Sequence, residues 1–212
     1  MTTSFSKTRV TLLDLLVPPR CGGCATPGSW LCVDCRDGLD PVHRTVGGLT
    51  VHAVGAFEGP LREAIHRAKY GNEPGRMAEL GLLVATLIAG RQAHGTRVDV
   101  VVPVPLHPAR RRERGYDQTA LLARVITENT GVPTRAALHR IRRGPAQATL
   151  DRPGRALNVR SAFVGVAGSL AGAHVALVDD VATTGATLRD AAAAARACGA
   201  RVVEAYVIGL DE

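Results

Sequence analysis

From residue 49 onward the apolar positions alternate between two rhythms. Short runs at residues 51–57, 98–102 and 174–179 have the length and density of buried strands, and 201–208 adds a fourth. Between them the spacing turns helical. Residues 60–69 predict a short helix with Pro60 at its start. Residues 77–91 predict a longer one, with Met77, Leu80, Leu83, Val84, Leu87 and Ile88 on one stripe. Residues 116–129 predict a third, with Leu121, Leu122, Val125 and Ile126 inward and Gly131 as its stop. An alanine-rich helix is expected over 188–198, and weaker strands over 137–141 and 161–166. Pro103 and Pro105 end the strand at 98–102. Strands alternating with helices predict an α/β fold with a mostly parallel sheet flanked by helices over residues 49–212.

Residues 19–48 break this rhythm. They hold four of the five cysteines, as Cys21-Gly-Gly-Cys24 and Cys32-Val-Asp-Cys35, among Pro, Gly and charges with one Trp and a few aliphatics. Two such knuckles can set four thiolates tetrahedrally around Zn²⁺. Too little apolar surface is present for a core, so metal binding would supply much of the folding energy. An iron–sulfur cluster suits four thiolates as well. The ligand set and knuckle spacing favour structural zinc over the cluster, and over a disulfide or redox pair. The predicted organisation is a flexible segment at 1–18, a small zinc-ribbon-like head at 19–48, and the α/β domain at 49–212. Cys198 lies alone on the last helix and reads as a small buried residue.

Composition narrows the function classes. The chain has 212 residues, 46% of them hydrophobic, which is enough for one domain and a small appendage. Aromatics at 3% argue against a surface that stacks bases. No apolar run reaches the ~18–20 residues of a membrane span. Residues 1–7 lack the apolar stretch of a secretory signal, so a cytoplasmic protein is expected. The net charge of +7 suits nucleic acid or a polyphosphate ligand equally. Of 26 basic residues only Lys7 and Lys69 are lysine.

The densest chemistry lies at 175–187. Four apolar residues lead to Asp179 and Asp180, followed by Val181, Ala182, Thr183, Thr184, Gly185, Ala186 and Thr187. In open α/β sheets, ligands bind beyond the carboxyl ends of the strands, where the acid pair falls. A turn of small residues opening a helix offers free N–H groups and a positive dipole end to a phosphate. Carboxylates for sugar hydroxyls or Mg²⁺ beside a phosphate cradle have the layout of a ribose-phosphate site.

The stretch 175–187 resembles the thirteen-residue ribose-phosphate signature of type I phosphoribosyltransferases. Further segments resemble one branch of them, the ComF (GntX-like) family. These are Val102-Pro-Val-Pro-Leu-His107-Pro with Arg112-Glu-Arg114-Gly115-Tyr116-Asp117-Gln118, then Gln147 to Leu150 with Arg155 and the run from Asn158 to Phe163, and the four-cysteine head. Tyr116 and Asp117 replace the usual Phe and Asn, and Gly144 stands where Thr is frequent. The resemblance covers nearly the whole chain from Cys21.

It implies a type I phosphoribosyltransferase-like fold that binds phosphoribosyl pyrophosphate, or a related sugar phosphate, with Mg²⁺. Asp179 and Asp180 would contact the ribose hydroxyls, and residues 181–187 would bind the 5′-phosphate. Lys69, before the loop residues Tyr70-Gly71-Asn72, is the candidate cation for the diphosphate. Arg112 and Arg114 are candidates on a lid. Tyr116 and Asp117 are expected to start a helix rather than touch substrate. A second basic stretch, Arg140, Arg142, Arg143, Arg152, Arg155 and Arg160, reads as surface. No residue pattern marks an acceptor pocket. Relatives in this family are associated with DNA uptake in competence beside a helicase-like partner. The alternative is therefore a non-catalytic adaptor for single-stranded DNA or such a protein, and a third reading is a sensor of the sugar phosphate.

Overall fold

The computed structural model describes residues 18–70, 74–106, 116–141 and 162–211. In chain order the elements are α1 (Val33–Asp37), β1 (Val42–Val46), β2 (Leu49–Ala56), α2 (Gly59–Tyr70), α3 (Pro74–Ala93), β3 (Val100–Pro103), α4 (Gln118–Thr130), β4 (Leu138–Arg140), β5 (Phe163–Gly165), β6 (His174–Ala182), α5 (Ala186–Ala197) and β7 (Val202–Leu210). Five strands form one sheet in the order β1-β2-β7-β6-β3. The contacts β2–β7, β7–β6 and β6–β3 are parallel, and β1 pairs antiparallel to β2 at one edge. This is the mixed α/β architecture with a mostly parallel sheet that the strand–helix alternation predicts.

The central strands are apolar on both faces because both faces are covered. On one side, Val175, Leu177, Ala205 and Val207 pack with Leu188, Ala191 and Ala195 of α5. On the other, Ala176, Val178, Tyr206 and Ile208 meet Ile65 of α2, Leu80, Val84 and Ile88 of α3, and Leu122 and Ile126 of α4. Of the predicted stripe on 77–91, Met77, Leu80, Val84 and Ile88 are buried in this core, while Leu83 and Leu87 sit at its edge, half-buried. α4 starts where Asp117 accepts a hydrogen bond from the Ala120 amide at 3.1 Å, and ends at Gly131, whose φ of 73° suits glycine.

The structure redraws four boundaries. Residues 42–46, placed with the head by the sequence reading, are strand β1 of the main sheet. Gly47 and Gly48, with φ of 56° and 77°, form the tight turn into β2, which only glycine makes readily. The weak strands at 137–141 and 161–166 shorten to β4 and β5 and pair with each other in a separate antiparallel ribbon. β6 continues past residue 179 because Val181 and Ala182 keep partners in Gly209 and Leu210 of β7. α5 begins at Ala186 rather than 188. Among the described residues, no helix is long and apolar enough to cross a membrane.

Candidate functional site

The acid pair owes its position to strands of unequal length. β3 ends at Pro103, opposite Val178, and the Val104 amide donates the last bond on that side to the Val178 carbonyl at 2.9 Å. Beyond it β6 runs on against β7 alone, carrying Asp179 and Asp180 past the end of its neighbour. Successive strand residues face opposite sides of a sheet, so the two carboxylates diverge. Asp180, buried, forms an ion pair with Lys69 Nζ at 2.9 Å. Lys69 ends α2, and Tyr116 holds that end by donating from its hydroxyl to the Ala68 carbonyl at 2.6 Å.

Asp179 accepts from the Asp180 amide at 2.8 Å. Burial, then the neighbouring Asp180 charge, push its carboxyl up to about 7, against the pull of that amide, Lys69 and Arg140. A carboxyl held near neutrality beside a second acid gains most from an added cation or from hydroxyl donors. Asp179 is thus the carboxyl of the pair that an added cation or hydroxyl donor would stabilise most.

The turn from β6 to α5 supplies the other half. Thr183 and Thr184 are exposed, and Gly185 occupies the N-cap of α5 with φ of 69°. A glycine N-cap has no side chain to bond the first helical amides, so the helix start presents N–H groups outward. The Ala186 amide has only a long contact of 3.4 Å to Thr184 Oγ1. Val46 of β1 packs against Gly185, where a Cβ would come within 3.2 Å of it. Arg44, two residues earlier on β1, donates from Nη2 to the Thr183 carbonyl, and its buried Nε has no partner among the described residues. The edge strand therefore braces the turn with a cation.

The four head cysteines gather as their spacing predicts, with their sulfur atoms all within 4.8 Å of one another. Cys24 and Cys32 Sγ lie 3.5 Å apart, near the ~3.8 Å edge of a tetrahedron with ~2.3 Å metal–sulfur bonds. Burial works to raise Cys21, but the Cys24, Cys32 and Gly23 amides outweigh it and bring the thiol down to about 6. Burial and the neighbouring sulfurs push Cys35 up to about 12. Four thiols this close cannot all ionise without a cation among them, so the cluster fits a metal such as zinc. The head is fastened to α3. Glu79 accepts from the Trp30 and Leu31 amides at 3.3 and 3.0 Å, and the Arg76 guanidinium lies over the Trp30 ring at 4.2 Å.

Lys69, Asp179, Asp180 and residues 181–187 are thus brought to one end of the sheet. Arg112, Arg114, Gly71 and Asn72 lie outside the described residues, as do Arg142, Arg143, Arg152, Arg155, Arg160 and the resemblance segment 147–158. Asp117 caps α4 rather than facing the acids. Two basic residues enter that the motif does not contain: Arg44, far away in sequence, and Arg140, whose charge reaches Asp179 from β4 while its guanidinium lies over Phe163 at 5.2 Å.

No protein-family model matches the chain. Among characterised sequences it is 29% identical to the DNA utilization protein YhgH of Escherichia coli (strain K12) over 203 residues, covering 94% of this chain and 86% of that protein. It is 27% identical to Competence protein F of Haemophilus influenzae over 198 residues, covering 89% and 83%. Among solved structures, glutamine phosphoribosylpyrophosphate amidotransferase from B. subtilis, complexed with ADP and GMP, matches with a TM-score of 0.43 and 28% identity. That match covers 62% of this chain and only 25% of the enzyme. An adenine phosphoribosyltransferase matches with a TM-score of 0.42 and 13% identity, covering 84% and 88%.

Proposed function

We propose that this homologue of the DNA utilization and competence proteins binds phosphoribosyl pyrophosphate, or a related sugar phosphate, at the carboxyl end of β6. The observation that carries the reading is the convergence of Lys69 on Asp180 at 2.9 Å beside an open glycine-capped helix start. Asp179 and Asp180 would hold the ribose hydroxyls, and the amides and hydroxyls of 183–187 the 5′-phosphate. Lys69 would turn from Asp180 toward the diphosphate as the acids gain their new partners. Arg112 and Arg114 are proposed to cover the ligand. Asp179 and Asp180 would help hold Mg²⁺ with the ligand, and the ion would supply charge neutralisation for a diphosphate leaving group. The reaction class is transfer of the phosphoribosyl group to an acceptor the site does not name. The head is proposed to hold structural zinc, and the protein to work in the cytoplasm.

Titration calorimetry with phosphoribosyl pyrophosphate and Mg²⁺ tests the reading. Saturable binding is expected, and its loss in Asp179→Asn/Asp180→Asn. No heat and no thermal shift at millimolar ligand would refute it. The names of the relatives favour a second reading, an adaptor that engages single-stranded DNA or a helicase-like protein through the head and the arginines. That reading predicts DNA affinity that falls steeply with salt and survives the double Asn change.

A further inference from the structure

A groove of about 870 Å³ runs between the cysteine head and α3. The head contributes Leu31, Val33 and Leu39, and α3 contributes Leu82, Leu83 and Leu87. These α3 residues form a second apolar stripe, beside the one that Leu80, Val84 and Ile88 bury on the sheet. Val33 is 57% exposed, and Leu82, Leu83 and Leu87 are only half-buried. A helix apolar on two sides, with one side open, calls for a cover.

We propose that residues 10–17 of this same chain are that cover. The stretch reads Val10-Thr-Leu-Leu-Asp14-Leu-Leu-Val17, six apolar positions of eight with one charge. The other stretches outside the described residues, 71–73, 107–115 and 142–161, contain no adjacent leucines and are mostly polar or basic. The Gly28 amide donates to the Pro19 carbonyl at 2.8 Å, and Arg20 pairs with Pro27, so the chain is pinned beside Ser29 at the rim of the groove. Residues 10–17 therefore start two positions from a fixed point next to the surface they would cover. Such a tether gives an effective concentration in the millimolar range, which favours the intramolecular partner over a second copy or a free one. The groove follows α3 from Glu79 to Arg91, ~18 Å of helix axis at ~1.5 Å per residue, a length eight residues can span.

Hydrogen exchange on the full chain tests this. In the wild type, amides 10–17 should exchange at least about tenfold more slowly than in a free peptide of that sequence. Leu83→Asp/Leu87→Asp should return them to the free rate while β6 and β7 stay protected, and Leu83→Met should retain the protection. Should the groove variant fail to fold, Leu12→Asp/Leu16→Asp makes the reciprocal change, and exchange over 82–91 should then quicken. Free-peptide exchange at 10–17 in the wild type would overturn the proposal. So would no change over 82–91 in the Leu12/Leu16 variant. Protection that fades on dilution, with a dimer mass by sedimentation, would assign the groove to a second copy and overturn it too.

Discussion

Asp179 carries two opposed demands. Sugar hydroxyls and a cation want it ionised, while burial and Asp180 push it up to about 7. Affinity for phosphoribosyl pyrophosphate with Mg²⁺ should therefore climb from about pH 6 to about pH 8, and calorimetry across that range should show the slope vanish in Asp179→Asn. The same shift acts on stability. A carboxyl raised from its unfolded value of about 3.9 favours the native state most below that value, and the benefit is lost as pH rises through 7. Asp179→Asn should thus be more stable than wild type by about 1–2 kcal/mol near pH 8 and equal to it near pH 4, by denaturant melts. Glu204 is its opposite. Hydrogen bonding from His52 pulls it down to about 2 against burial, aided by Arg91 at 2.9 Å and by the Tyr206 hydroxyl. Its stabilisation is present above about 4.3 and lost as pH falls through 2. Glu204→Gln should cost about 2 kcal/mol at pH 7, and the gap should close in acid. The first residue was legible because its neighbours are its sequence neighbours. The second was not, because three of its partners, His52, Arg91 and His174, come from β2, α3 and β6.

The turn between β6 and α5 shows the same division one level up. Strand, acids, small turn and helix were all readable in one stretch, since each is a local choice of residue. What braces the turn was not: Arg44 and Val46 arrive on β1, which the reading left in the head. The signal for β1 was present, as Gly47-Gly48 between two β-rich runs marks a hairpin. It was masked by the neighbouring cysteines, which drew the boundary past it. Two adjacent acids read as a strand end at residue 179, whereas β7 keeps Val181 and Ala182 paired. Two variants separate bracing from contact. Gly185→Ala sets a side chain at φ of 69° and 3.2 Å from Val46, and should cost about 1 kcal/mol together with a loss of ligand affinity. Arg44→Gln should leave the melting midpoint nearly unchanged and weaken phosphate binding about tenfold, by calorimetry. Equal affinity in Arg44→Gln would make Arg44 a brace for the turn alone.

At the scale of the molecule the question is whether head and sheet stand or fall together. The cysteine cluster was legible from spacing, but its mooring was not. Cys21 belongs to the core that α2 and α3 form, Gly22 lies so close to Ala64 that a Cβ would come within 2.7 Å of its backbone, and Arg76 and Glu79 tie Trp30 and Leu31 to α3. Of these contacts, the one at Ala64 touches the middle of α2, and the others reach α3. With the proposed metal removed, four crowded thiols would remain, one of them at about 6, that repel as they ionise. Near pH 7, a strong chelator should therefore speed hydrogen exchange across 19–41 first and then at the start of α3, where Arg76 and Glu79 lose their partners. β6, β7 and α5 should keep their protection, because their burial lies on the other face or at the centre of the sheet. Calorimetry on the chelated protein then separates two outcomes. Weaker sugar-phosphate binding means that the head steadies α2 and, through it, Lys69. Unchanged binding with a loosened head means that the sheet carries the site alone.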